Sequence, residues 1–265
     1  MKNYKAVVFD MDGTLLDTLD DLHISLNYAL NACGHGGRTK EEVQSFIGDG
    51  IDVLIARAMP ESTEKKSFFA TLSPIKCGDL TGSPITPVES GDFIETSNNP
   101  KTEKEQIAEF IEQCKKVGEV FRAYYIEHGE DNTKPYDGII ELLRALKASG
   151  IKTAVVSNKV QEAVEGLSKK LFAGLIDVAV GDRAGVRLKP APDMLLSALA
   201  TLGIGRDEAV FVGDGDTDIE ASARAGLDCI SVCYGYRSEE FLRAHGGKTF
   251  AHDAYELANL LNVNI

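Results

Sequence analysis

The sequence predicts an α/β fold in which a parallel sheet forms the core and a mostly helical segment is inserted after the first strand. Short valine-rich runs recur along the chain without alternating polarity, as is typical of strands buried on both faces. Amphipathic helical patterns separate several of these runs, which favours strand–helix–strand units with right-handed crossovers. Between the first run and residue 136 the patterns are helical, and no comparable run occurs.

The core strands and helices are predicted from their ends as much as from their apolar residues. Five apolar runs are expected to form the sheet: AVVF (6–9), TAVV (153–156), DVAV (177–180), AVFV (209–212) and CISV (229–232). Three helical patterns each stop at a glycine, as helices commonly do: GIIELLRALKASG (138–150), PDMLLSALATLG (192–203) and DIEASARAG (218–226).

The inserted segment is expected to consist of several helices and one irregular stretch. Helical patterns cover 18–34, 39–47, 50–59 and 102–128. Residues 71–101 contain four prolines and three glycines, and an unstructured connection of this length is unusual in a compact domain. We therefore expect a core made of 1–16 and 136–265, and a helical domain over 17–135 with an atypical insertion near 71–101.

Composition limits the partners and the compartment. The formal net charge of −13 disfavours binding to nucleic acid or to an anionic membrane surface. Only four apolar residues follow MKNYK, too few for a secretory signal, and no apolar run approaches the length of a membrane span. Five scattered cysteines then indicate reduced thiols in the cytoplasm. Cys229 and Cys233 lie in an apolar strand-like run, which favours a structural role over metal binding.

Chemically active residues follow the predicted strands at the points where those strands end. In open parallel sheets, ligands bind beyond the carboxyl ends of the strands, so these residues are expected to converge. The set comprises Asp10 and Asp12 after the first run, Ser157 and Asn158 after the second, Asp214, Asp216 and Asp218 after the fourth, and Lys189 in LKPAPD. Carboxylates, a hydroxyl, an amide and an ammonium together suit a divalent metal and a phosphate.

Each residue type has a physical reason to be in such a site. Asp10 and Asp214 offer the hard oxygen ligands that Mg²⁺ prefers, and an ionised Asp10 can also attack phosphorus. Asp12 can transfer a proton if its side chain stays off the metal. Ser157 can donate a hydrogen bond to a phosphoryl oxygen, and Lys189 supplies positive charge.

Simpler interpretations of these stretches are weaker. Aspartate and glycine clusters also form ordinary turns, but four such stretches in order, three of them at strand ends, are hard to explain that way. The run DGDTD at 214–218 resembles the start of a calcium-binding loop. That loop would have glycine at its sixth position and glutamate at its twelfth, where this chain has Ile219 and Ala225.

Taken together, these stretches resemble the four motifs of the haloacid dehalogenase-like superfamily of phosphohydrolases. The motifs are FDMDGTLLDT (9–18), VVSNK (155–159), LKPAPD (188–193) and VGDGDTDIEASARAG (212–226). The resemblance implies a Rossmann-like core with a cap domain. It further implies that Asp10 is the nucleophile that becomes an aspartyl phosphate, and that Asp12 is the general acid and base.

The same resemblance implies roles for the remaining residues. The backbone carbonyl of Asp12 and the carboxylates of Asp10 and Asp214 would bind Mg²⁺. Ser157, with Asn158 beside it, would bind the phosphoryl group, whose charge Lys189 would balance. Asp218 would orient Lys189 or a metal-bound water, and Asp216 would face solvent.

Within the superfamily, two segments of the inserted region are similar to the phosphoglycolate phosphatase group, namely FIGDGIDVLIARAM (46–59) and FRAYYIEHGEDNTKPYDGI (121–139). The resemblance implies a Mg²⁺-dependent phosphatase for a small phosphorylated metabolite, a phosphoglycolate-like monoester. The excess length near 71–101 departs from the group. The sequence does not separate a monomer from a homodimer.

Other functions compatible with the same core are weighed against this one. A β-phosphoglucomutase-like sugar phosphomutase is the main alternative, because it would return the phosphoryl group to a sugar. A phosphonate hydrolase needs a lysine of the cap that forms a Schiff base. Lys40 is the only lysine between residues 17 and 60, and it lies at a predicted helix start, so this function is disfavoured. A haloacid dehalogenase would not need Mg²⁺, which Asp12 and Asp214 argue against. A non-catalytic binding module is disfavoured by the intact set of site residues.

Overall fold

The computed structural model describes residues 2–72 and 102–265. Its first half comprises a strand, a short strand and five helices, and its second half alternates strands with helices. In chain order the elements are β1 (Ala6–Phe9), β2 (Leu16–Asp17), α1 (Leu19–Ala32), α2 (Lys40–Phe46), α3 (Ile51–Ala58), α4 (Thr63–Leu72), α5 (Glu103–His128), β3 (Lys134–Pro135), α6 (Ile139–Ala148), β4 (Lys152–Val160), α7 (Gln161–Phe172), β5 (Val178–Asp182), α8 (Asp193–Leu202), β6 (Ala209–Gly213), α9 (Asp216–Ala225), β7 (Asp228–Val232), α10 (Glu239–Ala244), β8 (Phe250–Ala251) and α11 (Ala254–Leu260).

Six strands form one parallel sheet in the order β5-β4-β1-β6-β7-β8. β1 lies between β4 and β6, and Ala6 pairs with both Lys152 and Ala209. The predicted α/β class and all five predicted strands are confirmed. β8 was not predicted, because an edge strand of two residues is too short to give a periodic pattern.

The central strand shows why the apolar runs do not alternate. Val7 and Phe9 pack into one hydrophobic layer, whereas Ala6 and Val8 pack into the layer on the other face of the sheet. Successive side chains of a strand point to opposite faces of the sheet. Because both faces of β1 are covered, every residue of β1 is apolar. All four are fully buried.

The inserted helices have a hydrophobic cluster of their own. α1, α3 and α5 contribute Leu26, Ile55 and Phe121, each almost completely buried, to a third cluster separate from the two sheet layers. α5 begins with a capping box in which Thr102 and Glu105 satisfy each other's backbone N–H groups. The four predicted helices of this segment are confirmed as α1, α2, α3 and α5.

Two further parts of this segment are α4 and the predicted insertion. α4 was not predicted, because TEKKSFFATL places lysines and aromatic residues side by side without a clear apolar stripe. The atypical insertion near 71–101 lies outside the described residues, except for the last two residues of α4.

A small antiparallel pair joins the inserted helices to the core. β2 pairs with β3, with Leu16 opposite Pro135, where the chain leaves the core and where it returns. The division into 1–16 with 136–265 and 17–135 stays a prediction. Within the described part of the chain, every helix is too short or too polar to cross a lipid bilayer.

Candidate active site

The carboxyl ends of β4, β1 and β6 place the predicted site residues side by side. These three strands are neighbours. Asp10 and Asp214 directly follow β1 and β6, and Ser157 lies in the last four residues of β4. Parallel strands end at one edge of the sheet, so residues separated by more than a hundred positions in the chain meet there.

A first group, which we call the Lys189 cluster, comprises Lys189, Asp10, Asp214 and Asp218. Lys189 Nζ lies 2.7 Å from Asp10 Oδ1 and 2.7 Å from Asp218 Oδ1. Carboxylate oxygens of the three aspartates lie within 4.8 Å of one another. The Lys189 side chain is only 2% exposed, so it interacts with these carboxylates with little screening by water.

The charges of this cluster do not balance. Burial raises the pKa of Asp10 well above its ordinary value; Lys189 opposes this, while Asp218 and Asp214 add to it. Burial, followed by the charge of Asp218, raises the pKa of Asp214 to about 7. Burial also acts to lower the pKa of Lys189, but Asp10 and Asp218 hold it above its ordinary value. Three carboxylates therefore share one ammonium group.

The donor set fits a hard divalent cation. A bound cation would offset the excess of buried negative charge among the three carboxylates. Carboxylate oxygens are also the ligands that Mg²⁺ prefers. Asp218 is less available as a ligand, because its Oδ1 contacts Lys189 and its Oδ2 accepts a bond from the Gly215 N–H at 3.0 Å. The donors to Asp214 are neutral groups, and the ion pair of Asp10 with Lys189 uses only one of its two oxygens, so Asp10 and Asp214 are the better candidates for the metal.

Backbone close to Asp214 holds this carboxylate in place. Asp214 Oδ2 accepts a hydrogen bond of 2.7 Å from the Tyr236 N–H, and Oδ1 accepts one of 3.1 Å from Thr14 Oγ1. Gly13 has φ of +84°, and a Cβ at this position would overlap the Asp214 carboxylate. A side chain at Gly13 is thus excluded both by its backbone conformation and by space.

A second group, which we call the Asp12 cluster, comprises Asp12, Thr18, Lys159, Tyr125 and Tyr236. Asp12 Oδ1 accepts a hydrogen bond of 2.8 Å from Thr18 Oγ1 and lies 3.3 Å from Lys159 Nζ. Lys159 Nζ also donates to Tyr125 Oη at 2.7 Å and lies 4.7 Å from the centre of that ring. Burial acts to lower the pKa of Lys159, but Asp12 and Tyr125 hold it above its ordinary value.

This second group connects the core to the inserted helices. Lys159 belongs to β4 of the core, whereas Tyr125 belongs to α5 of the insertion. From the other side, Tyr236 Oη lies 2.9 Å from Thr18 Oγ1 and accepts a bond from the Thr18 N–H at 3.1 Å. The carboxylate of Asp12 is thus held by groups other than those that hold Asp10.

The loop after β1 forms a turn that returns the chain towards Asp12 and its partner Thr18. The N–H groups of Leu15 and Leu16 both donate to the carbonyl of Met11, at 3.0 and 2.9 Å, and the Gly13 N–H donates back to the carbonyl of Leu16 at 2.8 Å. The chain therefore reverses immediately after Asp12. This compact turn is built around the left-handed Gly13.

Ser157 and Asn158 are placed differently from each other. The Asn158 side chain bonds to backbone: Nδ2 donates to the carbonyls of Lys189 and Gly48 at 3.0 and 3.1 Å, and Oδ1 accepts from the Lys189 N–H at 2.8 Å. Asn158 thus fixes the Lys189 segment. Ser157 Oγ accepts a bond of 3.3 Å from the Lys159 N–H, which leaves its own hydroxyl hydrogen to be donated elsewhere.

Sequence reasoning assigned no role to Lys159, Tyr125, Thr14, Thr18 or Tyr236. Lys159 could have been found, because it stands two residues after Ser157 and side chains two apart on a strand share a face. The predicted strand stopped at residue 156, whereas β4 continues to Val160. Tyr236 follows β7 in a loop without a recognisable pattern, so no signal in the sequence pointed to it.

Comparison with known proteins identifies the family. A family model for haloacid dehalogenase-like hydrolases matches residues 4–226. The chain belongs to this family. A phosphoglycolate phosphatase of Salmonella choleraesuis is 31% identical over 241 residues, covering 91% of this chain and 85% of that protein. Another from Aquifex aeolicus is 30% identical over 237 residues, covering 88% and 86%.

A solved structure gives the same result for the fold. A candidate phosphoglycolate phosphatase from Lactobacillus delbrueckii subsp. bulgaricus superposes with a TM-score of 0.76 at 34% identity, covering 98% of this chain and 99% of that one. The predicted α/β core with an inserted, mostly helical cap is confirmed, as is the resemblance to the haloacid dehalogenase-like family. The protein is an enzyme of that family, in the phosphoric monoester hydrolase class.

Proposed function

We propose that the protein is a Mg²⁺-dependent phosphatase that hydrolyses a small phosphorylated metabolite, a phosphoglycolate-like monoester, through an aspartyl phosphate on Asp10. The observation that carries this proposal is the separation of two aspartates: Asp10 contacts Lys189 at 2.7 Å, whereas Asp12 is held by Thr18 and Lys159. Two carboxylates with different partners can perform different chemical tasks.

In the first half of the reaction, a carboxylate oxygen of Asp10 attacks the phosphorus of the monoester. A new oxygen–phosphorus bond forms, the bond from phosphorus to the substrate oxygen breaks, and Asp12 gives its proton to the departing alkoxide. Lys189 and the hydroxyl of Ser157 stabilise the charge on the phosphoryl oxygens. Asn158 acts through its bonds to the backbone of Lys189.

In the second half, Asp12 is a carboxylate and takes a proton from water. The oxygen of that water attacks phosphorus, the bond between phosphorus and Asp10 breaks, and inorganic phosphate leaves. Lys159 holds the Asp12 carboxylate in position, because its ammonium group lies 3.3 Å from Asp12 Oδ1.

Mg²⁺ would be held by carboxylate oxygens of Asp10 and Asp214 and by the backbone carbonyl of Asp12. When bound, it supplies positive charge that offsets the repulsion between the aspartates and an anionic phosphate. Asp218 holds Lys189 in place, through the contact of 2.7 Å between Lys189 Nζ and Asp218 Oδ1.

The substrate class rests on the relatives and on the inserted helices. The curated relatives at about 30% identity are phosphoglycolate phosphatases, and their similarity extends over 88% to 91% of this chain. Tyr125 brings α5 into contact with Lys159 at the site, so the insertion, proposed as a cap over 17–135, borders the space for the substrate. We also propose a cytoplasmic protein, monomeric or homodimeric, without a nucleic-acid partner.

A phosphate-release screen tests this function. Purified protein is incubated with phosphoglycolate, sugar phosphates, nucleotides and pyrophosphate, with Mg²⁺ present or removed by EDTA. We expect release of phosphate from small monoesters, with phosphoglycolate among the best, loss of activity in EDTA and recovery with added Mg²⁺. Full activity in EDTA would contradict the metal role, and turnover that requires a sugar bisphosphate would favour the phosphomutase instead.

A further inference from the structure

A second group of metal-ligating side chains lies at the edge of the sheet. Cys233 directly follows β7, His252 directly follows β8, and the last residues of these strands, Val232 and Ala251, are register partners. Cys233 donates its N–H to the carbonyl of Ala251 at 2.9 Å. The neighbouring strands therefore present the thiol and the imidazole together, at their carboxyl ends.

The third member comes from a helix that begins beside these strands. Glu239 is the first residue of α10, whose N-terminus is capped by the side chain of Ser238. A sulfur of Cys233, a carboxylate oxygen of Glu239 and a ring nitrogen of His252 all lie within 4.8 Å of one another. Tetrahedral zinc, with bonds of about 2.0 to 2.3 Å, keeps its ligands roughly 3 to 4 Å apart, so small side-chain movements suffice.

A fourth residue orients the imidazole as metal sites do. His252 Nε2 lies 2.8 Å from Glu239 Oε2, and Nδ1 lies 2.8 Å from Glu256 Oε2. The His252 backbone N–H donates to the same Glu256 oxygen at 2.9 Å. A histidine that binds metal through one nitrogen almost always gives the other N–H to a carboxylate, a backbone carbonyl or water, and the Glu256 carboxylate occupies that position.

The sequence around Cys233 favours a structural role, but the position of its thiol beside Glu239 and His252 points to another one. We propose that Cys233, Glu239 and His252 bind a divalent cation of the zinc class, at a site that uses none of the residues of the Lys189 cluster. Thiolate, imidazole and carboxylate are the three ligand types of protein-bound zinc, whereas Mg²⁺ selects oxygen ligands. Three protein ligands leave one tetrahedral position for water. His252 is more than half exposed, which gives the ion a path from solvent.

The position of this site gives the ion a structural task. Cys233 begins the segment that leads to Tyr236, whose N–H holds Asp214 and whose hydroxyl contacts Thr18. An ion that ties Cys233 to β8 and α10 fixes one end of this segment. Metal binding therefore stabilises the loop that supports Asp214 without contacting the substrate.

The competing explanation is a network of surface ion pairs. Glu239 also pairs with Arg243, and exposed pairs of this kind contribute little to stability. Such a network would include Glu239, Glu256 and His252 but would have no use for a thiol. The role of Cys233 is therefore what distinguishes the two explanations.

Cobalt titration of the full-length protein tests the site. Co²⁺ is added with Mg²⁺ present in excess, so that oxygen-ligand sites are filled, and absorption in the near ultraviolet reports a cobalt–thiolate bond. We expect a charge-transfer band that saturates at one equivalent of Co²⁺ and disappears when Zn²⁺ is added. Cys233→Ser should remove the band, and His252→Ala should weaken Co²⁺ binding at least tenfold.

Matched variants and a second readout complete the test. Cys33→Ser and His245→Ala change a free thiol and an exposed imidazole outside the cluster, and both should keep the band. Zn²⁺ should raise the melting temperature of the wild type and of both controls, but not of Cys233→Ser. No charge-transfer band in the wild type, or a band that survives Cys233→Ser, would overturn the proposal.

Discussion

Asp10 and Asp12 are the same residue two positions apart, yet their surroundings differ in charge. Asp10 lies with Asp214 and Asp218 around a single ammonium group, that of Lys189. Asp12 lies opposite one ammonium group of its own, that of Lys159. The first group has an excess of negative charge, and the second is balanced.

The difference indicates how one short loop can support two kinds of chemistry. A group with excess negative charge favours a cation and, with it, an anionic phosphate, so the residue in it suits attack on phosphorus. An aspartate whose side chain is held outside that group suits proton transfer to the substrate oxygen and from water. The turn after Asp12 returns the chain so that Thr18 donates a hydrogen bond of 2.8 Å to Asp12 Oδ1.

Removing the proposed nucleophile gives the largest expected effect. Asp10→Asn keeps the shape of the side chain but cannot form an aspartyl phosphate, so kcat with an aryl phosphate should fall on the order of 10⁴- to 10⁶-fold. Asp216→Asn, at the first position of α9, is the matched control and should retain ordinary turnover. Equal losses of turnover in both variants, or turnover by Asp10→Asn near the wild-type rate, would contradict the proposed role of Asp10 as the nucleophile.

Replacing the proposed proton donor gives a smaller effect that depends on the leaving group. Asp12→Asn should reduce kcat about 10²- to 10⁴-fold for an alkyl phosphate, the usual contribution of general acid–base catalysis. Formation of the aspartyl phosphate should be slowed less for an aryl phosphate, because a phenolate leaves without needing a proton. Rapid-quench measurement of phenol release and of phosphate release separates the two steps. Equal slowing of the first step for both substrates would be inconsistent with a proton donor.

Much of this architecture could be predicted from the sequence, because it depends on local patterns. The strand AVVF must be apolar throughout to be buried on both faces, and Asp10 is the first polar residue after it. The balance of charge around Asp12 could not be predicted in the same way. It depends on Lys159 and Tyr125, which lie 34 positions apart and meet only when α5 packs against the end of β4.

Removing the hydrogen bond between Tyr125 of α5 and Lys159 gives the smallest expected effect. Tyr125→Phe removes the hydroxyl that accepts from Lys159 Nζ but keeps the ring beneath the ammonium group. One lost hydrogen bond of about 0.5 to 1.5 kcal/mol corresponds to a roughly two- to tenfold reduction in kcat. Steady-state kinetics should show this in kcat more than in KM.

A neighbouring tyrosine provides the control for that variant. Tyr124 stacks on Tyr28, with ring centres 4.1 Å apart, and does not belong to the Asp12 cluster. Tyr124→Phe should leave kcat unchanged. If both tyrosine variants lost activity equally, the effect would reflect packing of α5 and not the contact with Lys159.

Trapping the transferred phosphoryl group tests the central claim most directly. A radiolabelled aryl phosphate is mixed with the Asp12→Asn variant, the reaction is stopped with acid within one turnover, and the labelled peptide is identified. We predict label on the peptide that contains Asp10, and none when Asp10 is also replaced by asparagine. Label on another residue, or rapid phenol release by Asp12→Asn with no labelled protein, would contradict the division of tasks between the two aspartates.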